Sequence, residues 1–127
     1  MPQAIAVEAI VNVMIGHRYL KMETTKKKST FSDIIKTEPL VLVDFFTEWC
    51  GPCKMMKPIL EQVHASMGDK VRILKVDVDK NPKAAQVYQI MGVPTLALFL
   101  HGNIVWRQSG VVSAAFLQQV ITKHLNH

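Results

Sequence analysis

From Leu40 to Phe46 the chain is apolar at every position except Asp44. A near-continuous apolar run of this length predicts a central strand buried on both faces. Upstream, Phe31, Ile34 and Ile35 carry the i, i+3, i+4 spacing of a core-facing helix. Ser29 or Thr30 can cap it, and Pro39 ends it. Downstream of the strand, Met56, Ile59, Leu60, Val63 and Met67 form a longer helical stripe that begins near Cys53. Pro58 lies inside that stripe and predicts a kink, because proline removes a backbone hydrogen bond. Gly68 and Asp69 stop the helix. Val71 to Val78 predicts a second strand, with Val71, Ile73, Leu74, Val76 and Val78 set against Arg72, Lys75 and Asp77.

Asn81-Pro82 opens a short helix with proline in its first turn. Leu96 to Leu100 is a third apolar strand. His101-Gly102-Asn103 is a hairpin signal, and Ile104 to Gln108 alternates as the antiparallel partner. Ser113 caps a last helix whose buried face is Phe116, Leu117, Val120, Ile121 and Leu125. Two strand–helix crossovers imply parallel strands, and the hairpin adds an antiparallel pair. The expected architecture is a three-layer α/β/α domain with a mixed central sheet.

Residues 1–21 stand apart. Ala4 to Ile15 is mostly apolar, but Glu8 and Asn12 interrupt it and no Lys or Arg precedes it. A secretory signal would carry a positive n-region. Three readings stay open: an extension from an upstream translation start, with Met22 opening the domain; a cryptic signal or membrane anchor; or a packed element. The first is preferred. The chain is therefore divided into an N-terminal extension outside the core fold, residues 1–22, and a domain, residues 23–127.

Composition narrows the function. A chain of 127 residues with 49% hydrophobic content forms one ordinary globular domain. The formal charge is +5, and Lys26 to Lys28 are consecutive. No Arg-rich or aromatic-interleaved stretch accompanies them, so they read as a solvated tail and no nucleic-acid partner is expected. No apolar run reaches the ~18 residues of a spanning helix.

The chemistry is concentrated in Trp49-Cys50-Gly51-Pro52-Cys53-Lys54, which holds both cysteines of the protein. A disulfide closing so small a ring stabilises a fold by only about 2 kcal/mol. Zinc would need four ligands, and none of His17, His64, His101, His124 and His127 has metal-ligand spacing with another near the cysteines. A redox dithiol fits better. The thiolate is the reactive form, and a helix N-terminus favours an anion, which lowers the Cys50 pKa. Residues three apart on a helix are neighbours. Gly51 tightens the turn, and Pro52 occupies a first-turn position at no cost while restricting the dithiol geometry. Cys50 would attack a substrate disulfide, and Cys53 would resolve the mixed disulfide. Asp44 is either a strand-end acid that is partly wet, or a buried acid of raised pKa that accepts the Cys53 proton.

With this hexapeptide placed after a strand containing Asp44, the chain resembles the thioredoxin family over about residues 30–126. Val43-Asp44-Phe45, Pro58, Val93-Pro94-Thr95 and Gly102 sit where that family has them. The resemblance implies a cis Val93–Pro94 bond beside the disulfide, so that Pro94 joins Gly51 and Pro52 in tuning the redox geometry. It implies that the Val93 backbone hydrogen-bonds an incoming peptide. Trp49, Gly92, Val93 and Gly110 would line a shallow apolar groove for protein substrates, and Lys75 would sit near Asp44 and tune it.

The resemblance also implies a monomeric, cytoplasmic protein disulfide reductase that maintains cell redox homeostasis. It would bind no cofactor and draw electrons from NADPH through a thioredoxin reductase. An exported relative, a docking subunit without turnover, and an oxidase or isomerase are the competing readings. Retention of both cysteines and Asp44 opposes the docking subunit. The Gly51-Pro52 pair opposes the oxidase, because more oxidising relatives tend to carry histidine there. Two departures stand out. Phe46 replaces a usual tryptophan. Glu23 to Lys28 makes a poor first strand, so that strand is short and polar, missing, or replaced by residues from 1–21.

Overall fold

A computed structural model of the chain describes residues 11–15, 18–22 and 31–125. Its strands are β1 (Val11–Ile15), β2 (Arg18–Met22), β3 (Leu40–Phe46), β4 (Arg72–Asp77), β5 (Thr95–Leu100) and β6 (Asn103–Ser109). Its helices are α1 (Phe31–Thr37), α2 (Gly51–Met67), α3 (Pro82–Val87) and α4 (Ala114–His124). The strands form one mixed sheet in the order β2-β1-β4-β3-β5-β6. β3 and β4 run parallel, and every other neighbouring pair is antiparallel. Among the described residues no helix is long and apolar enough to cross a membrane.

The two faces of the sheet follow from the period-2 alternation of strands. Val41, Val43 and Phe45 face one way with Leu74, Val76, Ala97 and Phe99, beneath α1 and α3. There Phe31 meets Phe45, Tyr88 and Phe99 edge-on, at 5.5–6.3 Å between ring centres. Leu40 and Leu42 face the other way with Ile73, Leu96 and Leu98, beneath α2 and α4. Each face thus has its own apolar layer, and β3 at the centre belongs to both.

Most expected helices and strands appear within a residue or two of their predicted limits. Cys50 and Ser113 cap α2 and α4 through their side chains. α2 continues through Pro58, whose ring faces the exposed side, where the orphaned carbonyl four residues back can meet water. Phe116, expected in the core, is 41% exposed and packs its ring 6.1 Å from that of Trp106.

For residues 11–15 and 18–22 the expectation of an extension outside the core fold gives way at the β4 edge. Val11, Asn12 and Val13 pair with Val76, Lys75 and Leu74, and β2 pairs along the full length of β1. Without them β4 would present a row of unpaired amides and carbonyls. Of the three possibilities for the first strand, replacement by residues from 1–21 is the one adopted. The expectations for residues 1–10, 16–17 and 23–30 fall outside the described residues.

β6 departs from strict alternation. Trp106 pairs with Leu98 and Ile104 with Phe99, leaving Val105 as an extra residue. This bulge puts Ile104 and Trp106 on opposite faces, one under each layer of helices. The preceding two-residue loop, His101–Gly102, has φ of 50° and 88°, the paired positive values of a tight hairpin turn. A Cβ on Gly102 would also lie 3.2 Å from Cγ of Lys36. Gly102→Ala is therefore expected to cost about 1–2 kcal/mol, measured by urea unfolding.

Candidate active site

The site lies where the carboxyl ends of β3 and β4 meet the start of α2. Asp44 has the parity of Leu40 and Leu42, so the strand turns it under α2 into the apolar layer. It is fully buried, and neither carboxylate oxygen has a hydrogen-bond partner among the described residues. Burial raises its pKa to about 7, with the Lys75 charge acting in the opposite direction. Lys75 is the register partner of Asp44 on β4. Burial lowers the Lys75 pKa, the Asp44 charge raises it, and Lys57 lowers it further. Its ammonium lies 4.4 Å from the ring centre of Phe46. The phenylalanine that stands where the family usually has tryptophan thus offers a cation–π face.

Cys50 is the residue just before α2, in extended conformation, with its sulfur accepting from the Cys53 amide at 3.1 Å. Gly51 and Pro52 make the first turn, and Pro52 forfeits no hydrogen bond there. Cys50 and Cys53 form a disulfide with their Cα atoms 5.3 Å apart. Both are buried, at 5% and 3% exposure, but only Cys50 lines the groove beside it. Cys53 belongs to the buried stripe of α2, above the same sheet face that carries Asp44.

The groove holds about 470 Å³ between the 47–52 and 90–93 segments. On one side Trp49 is 74% exposed, with its indole N–H donating to Oδ2 of Asp79 at 2.6 Å. Asp79 is presented by a turn in which Oδ1 of Asp77 accepts the amides of Asp79 and Lys80. On the other side the Val93–Pro94 bond is cis, and the Val93 carbonyl oxygen lies 3.8 Å from the Cys50 sulfur. That sulfur carries no hydrogen in the disulfide, so the approach is a contact and not a hydrogen bond. Gly92 and Met91 complete this wall.

The wall is tied down from behind. The Arg107 guanidinium donates to the carbonyls of Tyr88 and Gln89 at 2.8 and 3.0 Å. Gln89 has a φ of 54°, which turns the chain sharply after α3. Thr95 Oγ1 donates to the Gly92 carbonyl at 2.6 Å.

Trp49, Gly92 and Val93 line the groove, with Gly51 and Pro52 beside them. Gly110 does not line it. It stands behind, with a φ of 94° and its amide donating to the Pro94 carbonyl at 2.8 Å. Asp79, Met91 and Arg107 escaped the sequence reading. Asp79 and Arg107 looked like ordinary surface charges. Met91 carried a visible signal, an apolar residue outside every stripe, next to Gly92-Val93-Pro94.

Comparison with known proteins agrees with this geometry. The family model described as Thioredoxin matches residues 21–123. The thioredoxin of Bacillus subtilis is 44% identical over 89 residues, which cover 70% of this chain and 86% of that protein. A solved mutant thioredoxin from Halobacterium salinarum NRC-1 superposes with a TM-score of 0.70 at 34% identity, covering 80% of this chain and 88% of that one. A third likeness is a chain solved for the structural basis of the thiol-resolving mechanism in yeast mitochondrial 1-Cys peroxiredoxin via glutathione/thioredoxin systems. It has a TM-score of 0.67 at 32% identity and covers 73% of this chain and 86% of that one. A buried acid within a strand beneath a capped Cys-Gly-Pro-Cys helix, and these likenesses over most of both chains, have one reading: the chain belongs to the thioredoxin family and is a thiol–disulfide oxidoreductase acting through Cys50 and Cys53.

Proposed function

We propose that the protein is a general reductase of protein disulfides, with Cys50 as nucleophile and Cys53 as resolving thiol. The observation that carries this reading is the asymmetry of the pair: Cys50 borders the groove, whereas Cys53 packs beneath it. In the reduced protein the Cys50 thiolate attacks one sulfur of a client disulfide. An S–S bond forms to Cys50, and the client's other sulfur leaves as a thiolate and takes a proton. Cys53 then passes its proton to Asp44, directly or through a water, and attacks the Cys50 sulfur. The intramolecular disulfide forms, and the second client sulfur departs as a thiolate and takes up a proton, while Asp44 gives up the one it accepted. Two electrons and two protons have moved to the client.

Lys75 tunes this step, since its charge opposes the burial that keeps Asp44 protonated. Trp49, Gly92 and Val93 receive the client chain, and Gly110 supports them through Pro94. The Val93 backbone would pair with an extended segment of the client. The reading includes a monomer with no bound cofactor, recharged by NADPH through a flavin-dependent thioredoxin reductase. It requires a compartment that supplies that reductant, for which the cytoplasm is proposed.

The test is NADPH oxidation in the presence of a thioredoxin reductase and insulin. The expected result is NADPH consumption that needs all three components and precipitates the insulin B chain. Consumption that stays at background with a reductase able to recharge a control thioredoxin would sink the reading.

A further inference from the structure

Met91 is 94% exposed, the most exposed large hydrophobic side chain among the described residues. Its neighbours explain why it points outward. Arg107 and the Gln89 turn hold the chain after α3, Ile90 packs against the core under α1, and Met91 is left on the open side. There it lines the same groove as Trp49, Val93 and the Cys50 sulfur. Two large apolar side chains exposed around one reactive sulfur form a patch suited to apolar client segments. A methionine adapts to varied partners because it is unbranched and its sulfur is polarisable.

That same thioether is open to oxidation. We propose that Met91 is a modification site at which hydroperoxides, acting on the disulfide form, weaken client binding while leaving Cys50 and Cys53 unmodified. This inference rests on the reductase reading above. In the step, the thioether sulfur attacks the terminal oxygen of a hydroperoxide. The O–O bond breaks, an S–O bond forms, and the proton passes to the departing oxygen as an alcohol or water. Sulfur loses two electrons and the peroxide gains them. The product is a polar, chiral sulfoxide in place of an apolar contact, and it can be reduced again enzymatically. Met56 and Met67 are 0% and 8% exposed and are shielded from the same reagent. Met55 is 59% exposed but does not line the groove, so its oxidation leaves client binding alone.

The experiment starts from the full-length oxidised protein, in which the closed disulfide protects both cysteines. It is treated with hydrogen peroxide, desalted, and checked by peptide mass spectrometry for a gain of one oxygen at Met91. Wild type, Met91→Leu and Met55→Leu are each compared before and after treatment. Insulin reduction is followed with NADPH and thioredoxin reductase, and reduction of oxidised glutathione with the pre-reduced protein. Peroxide is expected to raise the insulin KM of wild type and Met55→Leu about fivefold, the effect of about 1 kcal/mol of lost apolar contact. The insulin kcat and the rate with glutathione stay level, and the KM of Met91→Leu does not respond. An unchanged KM in wild type with Met91 oxidised would overturn the proposal, as would an equal rise in Met91→Leu. Loss of all activity before any peroxide is added would instead remove the reductase reading, and this inference with it.

Discussion

Cys50→Ser is expected to reduce insulin disulfide reduction to background, while Cys53→Ser stops after one chemical step and accumulates as a mixed disulfide. The two outcomes differ because the two sulfurs occupy different surroundings. Cys50 lies at the groove and at the start of α2, where the helix end favours its anion. A serine hydroxyl is not ionised near neutral pH and supplies no nucleophile. Cys53 lies in the buried stripe of α2, out of reach of a folded client. Its loss leaves the first attack intact and removes the second. Mass spectrometry of Cys53→Ser after exposure to insulin should find an adduct that dithiothreitol releases, and Cys50→Ser should show none. Turnover by Cys50→Ser would overturn the mechanism. Lost stability cannot produce this pattern, because so small a disulfide ring contributes only about 2 kcal/mol.

Asp44→Ala is expected to make the protein slower and, above neutral pH, more stable. The carboxyl is fully buried, and its pKa rises from an ordinary 3.8 to about 7 through loss of solvation. A raised acid pKa means that the native state holds its proton after the unfolded chain has released it. Below about pH 4 both states are protonated and burial carries no ionic penalty. As pH climbs towards 7 the unfolded state ionises alone, and native stability falls by about 1.4 kcal/mol per pH unit. Above 7 the loss is constant. Asp44→Ala lacks this dependence, so its stability relative to wild type should improve by about 3 kcal/mol between pH 5 and pH 8. Urea titrations of both proteins at the two pH values measure it. A constant difference would mean that Asp44 is ordinary in the native state.

The same proton carries the kinetic effect. An ionised Asp44 accepts the Cys53 proton, so in wild type the resolution of a mixed disulfide should accelerate as pH rises through 7. In Asp44→Ala this rise should vanish and the step should slow about tenfold or more near neutral pH. An unchanged rate there would remove Asp44 from proton transfer.

Much of the fold was legible because its signals are local. The apolar run of β3, the stripe of α2 and the cap at Ser113 each lie within a few neighbouring residues. Their periods separate strand from helix without reference to the rest of the chain. The reactive pair was legible for the same reason, since two cysteines three apart at a helix start meet through local geometry alone. The bulge at Val105 was not. Ile104, Trp106 and Gln108 alternate correctly for an undistorted strand, and only pairing with β5 reveals the extra residue. The N-terminal hairpin stayed one alternative among several because its value lies in the edge it covers. Nothing within residues 11–22 announces that β4 has an unpaired side.

By itself the sequence determined the dithiol, its place at the start of a helix, and an acid inside a buried strand. These depend on residues close together in the chain. The tertiary structure decided what surrounds them. It set Lys75 beside Asp44 through strand register and held the Trp49 indole by Asp79 from another loop. It brought the Val93 carbonyl to within 3.8 Å of Cys50 and braced that wall with Arg107 from β6. It also moved Gly110 behind the groove and put Met91 in it. Each of these is a contact between elements far apart in sequence, decided by which strands pair and which face each helix covers.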